Sequence, residues 1–214
     1  MGIILVNASP VPRSRSAALL AAARQKLNVL GHSPRQLCIA DLPSASLLSQ
    51  SVQEGAIRLA VQAVAQAQAV VIAAPVYQAA FSGLLKVFLD VLPADALQGK
   101  TVALLATGVQ KGQTVTLAQT IAPVLQSLGA ERIVPGVYAQ DHQVTLLPEG
   151  ASYVVHQDVL QRLDEVLQAV LSSKAATQAW WLHAQDSAAF EAAQYRAMGS
   201  SLASAYARIP AYGV

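Results

Sequence analysis

Short apolar runs alternate with longer amphipathic segments along the first 171 residues. Runs that are apolar at nearly every position are typical of parallel strands covered on both faces, whereas apolar residues spaced three or four positions apart indicate helices. The predicted strands cover residues 2–6, 37–40, 69–74, 101–107 and 132–138. The predicted helices cover residues 14–30, 53–68, 81–92, 113–128 and 157–171. This alternation predicts an α/β protein with a parallel sheet.

The number and order of these elements suit a flavodoxin-like three-layer sandwich, with a five-stranded parallel sheet in the order 2-1-3-4-5. In that arrangement a ligand lies beyond the carboxyl ends of the strands, where the strand order reverses between the first and third strands. The loops after the first, third and fourth strands then converge. We therefore look for candidate chemistry in these three loops.

The first of these loops is rich in hydroxyl and guanidinium groups and lies directly before an Ala/Leu-rich helix. Backbone N–H groups at a helix start lack intrahelical partners and carry the positive end of the dipole, so an anion satisfies both deficits. Ser9, Ser14 and Ser16 supply hydroxyl donors, and Arg13 or Arg15 supplies a charge-assisted contact. Neither a G-x-G-x-x-G turn nor a P-loop is present there, which favours a terminal monophosphate over a pyrophosphate. The alternative is an ordinary helix N-cap with solvated arginines.

The other two loops suit a flat, hydrogen-bonding ring. Pro75 and Tyr77 follow the third strand, and the small residues Ala79, Ala80 and Gly83 leave room for a planar group. The loop after the fourth strand contains glycines, which permit close approach of the backbone to a ligand. It reads Thr107-Gly108-Val109-Gln110-Lys111-Gly112. One phosphate loop and two ring loops together predict a mononucleotide site, with a flavin as the ring.

Composition narrows the remaining possibilities. The chain has 214 residues, of which 54% are hydrophobic and 12% are charged, so it is long enough for one well-packed domain. A net charge of +2 without a basic stripe argues against nucleic acid as a partner. Cys38 has no second cysteine for a disulfide, and neither a leader pattern nor a membrane-length apolar run is found. We therefore expect a cytoplasmic protein with no membrane partner.

The longest of several motifs in the chain is PVYQAAFSGLLK at residues 75–86. Further motifs are residues 89–93, 96–100, 106–108, 123–125 and 136–139. Together and in this order, these motifs resemble those of the NAD(P)H-dependent FMN reductases. Within that family the chain is most similar to the reductase components of two-component alkanesulfonate monooxygenase systems. The resemblance covers residues 1–171 and implies one flavodoxin-like FMN-binding reductase domain over that range.

The resemblance also implies the cofactors FMN and NAD(P)H and a set of binding residues. The phosphate side would comprise Ser9, Arg13, Ser14, Arg15 and Ser16. The ring side would comprise Pro75, Val76, Tyr77, Gln78, Thr107, Gly108 and Val109. The chain departs from the family pattern at Val11, where an arginine is common, so that Arg13 would take over the role of that arginine. It departs again at Gln78 and Phe81, where relatives often have lysine and tyrosine, which removes a charge and a hydroxyl beside the ring.

The expected mechanism follows from the cofactor. The resemblance implies that hydride passes from the nicotinamide to N5 of the flavin, so the protein orients two rings and supplies no acid, base or nucleophile. We accordingly predict no catalytic side chain and no metal site. His142 and His156 are interpreted as surface or loop histidines. Lys86 and Asp90 form an i,i+4 pair on a predicted helix, which indicates a structural role.

One departure bears on the fate of the reduced flavin. The resemblance implies that alkanesulfonate-type reductases that release FMNH2 carry an inserted tyrosine, which forms a π-bulge at the oligomer interface. Residues 117–124 of this chain contain no aromatic residue, which favours a flavin that stays bound. Supply of reduced flavin to a monooxygenase in sulfonate sulfur assimilation is therefore one hypothesis. The alternatives are an FMN-bound quinone, azo or metal-ion reductase and a non-enzymatic flavin-binding sensor module.

Residues 172–214 extend beyond the reductase-like region, and we expect them to form a helical extension or arm. They contain Trp180, Trp181 and half of the six tyrosines, an enrichment unlike a purely polar disordered tail. Such an extension would fold on its own core, pack on a neighbouring subunit or recruit another protein. An apolar stripe from Phe81 to Leu92, together with the resemblance, favours a homodimer or homotetramer.

Overall fold

The computed structural model describes residues 1–109, 113–147 and 153–172, with the backbone alone for residues 113–118. Its main sheet contains β1 (Ile3–Asn7), β2 (Arg35–Cys38), β3 (Ala69–Tyr77), β4 (Ala80–Phe81), β5 (Thr101–Gly108), β6 (Arg132–Ile133) and β7 (Val137–Gln140). The parallel strands run in the order β2-β1-β3-β5, and both β6 and β7 pair in parallel with β5. With β6 and β7 taken as two parts of the fifth strand, the predicted order 2-1-3-4-5 is confirmed.

Helices cover both faces of this sheet. They are α1 (Arg15–Val29), α2 (Ser44–Leu48), α3 (Gly55–Gln66), α4 (Gly83–Asp90), α5 (Gln113–Ser127) and α6 (Gln157–Leu171). Apolar side chains of α1 and α6 pack on one face, and those of α3, α4 and α5 pack on the other. Successive strand residues point to opposite faces, so Ile3 and Leu5 join one core while Ile4 and Val6 join the other. The predicted three-layer sandwich is confirmed.

The fifth strand is interrupted, whereas the sequence predicts one continuous strand over residues 132–138. A Cβ atom at Gly136 would lie 2.4 Å from the backbone oxygen of Leu104, so only glycine allows this close approach to β5. On either side of the interruption, β6 pairs with the start of β5 and β7 pairs with its end. Because β7 continues to Gln140, the residues that follow it are brought to the carboxyl edge of the sheet.

The third strand extends beyond the predicted residues 69–74. It continues to Tyr77 and turns through Gln78 and Ala79 into the antiparallel strand β4. Both turn residues have positive φ, 48° and 60°, as the type I′ turns of two-residue hairpins require. Helix α4 is consequently shorter than the predicted helix 81–92, because the predicted helix start lies in β4.

Two small features were not expected from the sequence. One is the short helix α2, and the other is a two-stranded antiparallel sheet of β8 (Val144–Leu146) and β9 (Tyr153–Val155) that packs on α1. We call residues 141–147, which follow β7 and include β8, the post-β7 segment.

Helix α6 has the predicted bounds, and α5 is α-helical over its whole length. The predicted extension over residues 172–214 lies, apart from Ser172, outside the described residues. In the part of the chain that the structure describes, no helix is both long enough and apolar enough to span a membrane.

Candidate functional site

The loops after β1, β3 and β5 meet at the carboxyl edge of the sheet. They border a cavity of about 270 Å³ at the point where the strand order reverses, which is the usual ligand site of this fold. All of the predicted site residues line this cavity except Ser9 and Gln78. Those that line it are Arg13, Ser14, Arg15, Ser16, Pro75, Val76, Tyr77, Thr107, Gly108 and Val109.

Two serine hydroxyls lie at the start of α1. Ser14 is the N-cap of this helix, and its Oγ accepts a hydrogen bond of 3.2 Å from the backbone N–H of Ala17. The same Oγ lies 3.2 Å from Oγ of Ser16, a residue that is fully buried. The helix start adds N–H groups without intrahelical partners and the positive end of the dipole. Together these groups form a donor set suited to a phosphate.

Ser9 and Ser82 stabilise the turn between β1 and α1 through hydrogen bonds to its backbone. Ser9 is fully buried, and its Oγ donates to the carbonyl of Val11 at 2.9 Å and accepts from the N–H of Val11 at 3.2 Å. The hydroxyl is thus used within the turn, away from the cavity lining. Ser82 was not a sequence candidate, yet its Oγ donates to the carbonyl of Ala8 at 2.8 Å while it caps α4. A serine immediately before an apolar helix is a recognisable N-cap signal and could have indicated it.

The two arginines of the turn contact the post-β7 segment. Arg13 donates to the carbonyl of Leu147, and Nε of Arg15 donates to the carbonyls of Asp141 at 2.9 Å and Val144 at 3.2 Å. Nη1 of Arg15 also lies 3.3 Å from Oδ2 of Asp141. The sequence interpretation assigned both guanidinium groups to a phosphate. In the structure they join the turn before α1 to the post-β7 segment.

The ring side of the cavity is formed by the ends of β3 and β5. Pro75, Val76 and Thr107 are buried, whereas Tyr77 is 49% exposed and Val109 is 76% exposed. The buried residues therefore form the floor, and the two exposed residues form an apolar rim. The structure places Gln78 in the exposed hairpin turn, outside this lining.

Three lining residues were not predicted from the sequence, namely Val11, Asp141 and Leu146. Asp141 directly follows β7. Because ligands of this fold lie beyond the carboxyl ends of the strands, the end of the fifth strand was a signal that could have indicated this residue. No comparable signal was available for Leu146, which lies in β8.

Two tyrosines among the described residues have raised pKa values. Burial raises the pKa of Tyr138 to about 12, and the negative charge of Asp141 adds to that increase. Burial also raises the pKa of Tyr153, against an opposing effect of Arg24. Both phenols therefore stay neutral at physiological pH.

The remaining titratable candidates have the structural settings that were predicted. His142 and His156 are exposed. Nζ of Lys86 lies 2.5 Å from Oδ1 of Asp90 in an exposed i,i+4 pair. No group of histidine, cysteine, aspartate and glutamate side chains among the described residues could hold a metal ion.

A larger cavity of about 640 Å³ lies between α1, β9 and α6. It is mainly apolar, and an ion pair of 2.6 Å between Lys26 and Asp164 joins the two helices there. The described residues that line it include none of the predicted site residues. Size alone does not make it the flavin site, because it lies away from the strand reversal and from the serine donors.

Comparisons with known proteins show the family to which the chain belongs. The sequence model of the NADPH-dependent FMN reductase family matches residues 1–145. FMN reductase (NADPH) of Escherichia coli strain K12 is 39% identical over 144 residues, which cover 67% of this chain and 75% of that protein. FMN reductase (NADPH) of Pseudomonas putida strain KT2440 is 33% identical over 168 residues, which cover 78% of this chain and 85% of that protein.

A solved structure extends the comparison to three dimensions. The apo form of NADH:FMN oxidoreductase (EMOB) is 31% identical and superposes with a TM-score of 0.69, over 82% of this chain and 92% of that chain. The chain is therefore similar to known FMN reductases in sequence and, for this solved structure, in fold as well. The chain belongs to the NADPH-dependent FMN reductase family.

Proposed function

We propose that this chain is an NAD(P)H:FMN oxidoreductase that binds FMN in the cavity at the carboxyl edge of the sheet. The observation that carries this proposal is the meeting of a hydroxyl-rich helix start and two ring loops in one cavity. Membership of the NADPH-dependent FMN reductase family supports the same reaction.

The residues fit FMN by the chemistry of their donors. Ser14 and Ser16, together with the N-terminus of α1, would hold the phosphate. Pro75 offers an apolar floor without an N–H group, and Tyr77 adds a flat aromatic side chain at the rim. Gly108 leaves the end of β5 free of a side chain, so the backbone is open to a ring.

Bound FMN supplies the hydride-accepting chemistry, so the chain's own residues need only bind and orient. The exposed rim of Tyr77 and Val109 leaves the cavity open to the nicotinamide. Among the described lining residues the one carboxylate is that of Asp141, which is paired with Arg15, and neither histidine nor cysteine is present. We therefore assign binding roles and no catalytic acid or base.

Steady-state oxidation of NADH and of NADPH by the full chain, with and without free FMN, tests the reaction. We expect oxidation that depends on added FMN. Turnover with a quinone and no need for free FMN would instead indicate an FMN-bound acceptor reductase. No oxidation of either nicotinamide would contradict the enzyme and leave a flavin-binding sensor module.

A matched pair of variants tests the location of the flavin. Tyr77→Ala removes an aromatic side chain from the rim, and we expect FMN affinity to fall by about 2- to 10-fold. Leu59→Ala is the control, because Leu59 is an exposed apolar residue on α3 outside the cavity. Equal FMN affinities of the two variants would contradict the proposed position of the ring.

The proposal includes assembly into a homodimer or homotetramer that covers the apolar rim. The stripe that suggested assembly from the sequence does not support it, because Leu85, Phe88 and Leu92 are buried within the chain. The exposed side chains of Tyr77 and Val109 support it instead. Sedimentation velocity at micromolar concentration tests this part of the proposal, and a monomer at all concentrations would contradict it.

Delivery of reduced flavin to a flavin-dependent monooxygenase in the cytoplasm is the final part of the proposal. The open rim supports exchange of the flavin, whereas α5, which contains Pro123 but has no π-helical segment, supports retention. The FMN content after gel filtration decides between them. A colourless protein that regains turnover with free FMN agrees with delivery, and a yellow protein with stoichiometric FMN contradicts it.

A further inference from the structure

The ion pair between Arg15 and Asp141 lies at the edge of the proposed flavin site. Both residues line the cavity, together with the serine donors Ser14 and Ser16. Nη1 of Arg15 is 3.3 Å from Oδ2 of Asp141, and the two side chains are 43% and 36% exposed. The site thus holds a negative charge close to the groups that would receive a phosphate.

The backbone and the side chain of Asp141 make separate contacts. The Asp141 carbonyl accepts from Nε of Arg15 at 2.9 Å, and the carbonyl of Val144 accepts from the same Nε at 3.2 Å. These backbone contacts hold the post-β7 segment against the turn before α1, and they do not require a carboxylate. The charge of the Asp141 side chain is therefore separable from the structural contact.

We propose that Asp141 sets the affinity of the site for the flavin phosphate by competing with it for Arg15 and by repelling it. This inference rests on the proposed FMN site. A phosphate dianion that enters the cavity gains the serine and helix donors, but it shares the guanidinium with a carboxylate and lies near that like charge. The carboxylate lowers the affinity for phosphorylated flavins and leaves the affinity for riboflavin unchanged.

The physical consequence is a flavin that exchanges more readily. A weaker phosphate contact shortens the residence time of the bound flavin, because differences in affinity among variants of one site act mostly on the dissociation rate. Asp141 therefore favours use of FMN as a dissociable substrate over its use as a permanently bound group.

The test is the affinity of Asp141→Asn for FMN and for riboflavin, measured by quenching of flavin fluorescence with the full chain. Asparagine keeps the backbone carbonyl and the shape of the side chain while it removes the charge. We expect FMN to bind about 3- to 10-fold tighter than to the unsubstituted protein, a modest gain because both partners are partly exposed. Riboflavin affinity is expected to stay within about twofold.

The matched control is Asp90→Asn. Asp90 is also a partly exposed aspartate in an ion pair, with Lys86, and it lies on α4 outside the cavity lining. This variant is expected to bind both flavins as the unsubstituted protein does. The gain of Asp141→Asn is also expected to shrink as salt is raised, because salt screens exposed charges.

A double-variant cycle separates competition from simple repulsion. In an Arg15→Gln background there is no guanidinium to release, so Asp141→Asn is expected to raise FMN affinity by a smaller factor. Weaker or unchanged FMN binding by Asp141→Asn would overturn the inference, as would an equal gain for riboflavin. Failure of the unsubstituted protein to bind any flavin would instead overturn the proposed function.

Discussion

The serine hydroxyls at the start of α1 act in two ways, because they belong to the helix start and also line the cavity. Ser14 caps the helix, and Ser16 is fully buried beside it. A capping hydroxyl satisfies an N–H group that would otherwise have no partner. The same geometry offers donors to an anion, so the local rule that starts α1 would also build the phosphate side of the proposed site.

The double variant Ser14→Ala/Ser16→Ala tests this dual role. We expect FMN binding to weaken by about 1–3 kcal/mol, since two donors to a charged acceptor are lost. Riboflavin binding is expected to change little. Ser127→Ala, which removes an exposed hydroxyl of α5, is the control. FMN affinity that is unchanged in the double variant, measured on protein that is still folded, would remove the serines from the site.

Tyr138 makes stability depend on pH in the alkaline range. Its pKa is raised to about 12 by burial and by Asp141, whereas an unfolded tyrosine titrates near its ordinary value of 10.0. Above about pH 10 the unfolded state therefore loses a proton that the folded state keeps, and the free energy of unfolding falls until about pH 12. Below that window this residue adds no pH dependence.

Urea unfolding of the protein and of Tyr138→Phe from about pH 9, below the ordinary pKa of 10.0, up to the shifted pKa of about 12 measures this effect. We expect a shallower loss of stability with pH in the variant. The same slope in both proteins would show that Tyr138 titrates normally in the folded state.

The strands at the carboxyl edge gain their final positions from two irregularities. The interruption before β7 depends on Gly136, which lies against the backbone of Leu104. The hairpin of β3 and β4 depends on two residues with positive φ. Both features place residues at the cavity, namely Asp141 after β7 and Tyr77 at the end of β3.

Gly136→Ala is expected to lower the free energy of unfolding by about 1–3 kcal/mol, because the added methyl group meets a backbone oxygen that cannot move without shifting β5. Gly55→Ala is the control, since Gly55 begins α3 with open space around it and has ordinary backbone angles. Denaturant unfolding of both variants measures the two changes in the free energy of unfolding. Equal free energies of unfolding for the two variants would show that β5 and β7 can move apart at Gly136 at little cost.

The described residues form two hydrophobic cores, one on each face of the sheet. One core lies under α1 and α6, and the other under α3, α4 and α5. The family match ends at residue 145, and α6 completes the core that it shares with α1, as far as Leu171. The domain boundary after residue 171 is therefore a proposal with a direct test.

A chain that ends at Ser172 is expected to fold and to bind FMN within about twofold of the full chain, because it retains all the strands, helices and cavity-lining residues that the structure describes. Circular dichroism and flavin titration measure both properties. Sedimentation of the two chains then tells whether the removed residues contribute to assembly. Loss of folding in the shorter chain would contradict the boundary.

Local sequence patterns were sufficient to predict the class of fold and the three loops that meet. Continuous apolar runs and amphipathic helices are local patterns, so the strand order and the bounds of α1 and α6 followed from them. The serine-rich turn was equally readable, because helix capping depends on neighbouring residues only.

The contacts that hold those loops together became visible only in the folded molecule. The sequence could not show that Arg15 would meet Asp141, because the two are far apart along the chain and their contact depends on where β7 ends. It could not show that the hydroxyl of Ser9 would turn inward, since both hydroxyl contacts depend on the path of the loop. Close approach at Gly136 likewise exists only once β5 and β7 are neighbours. Contacts between distant segments arise from packing, and packing is not encoded in any local pattern.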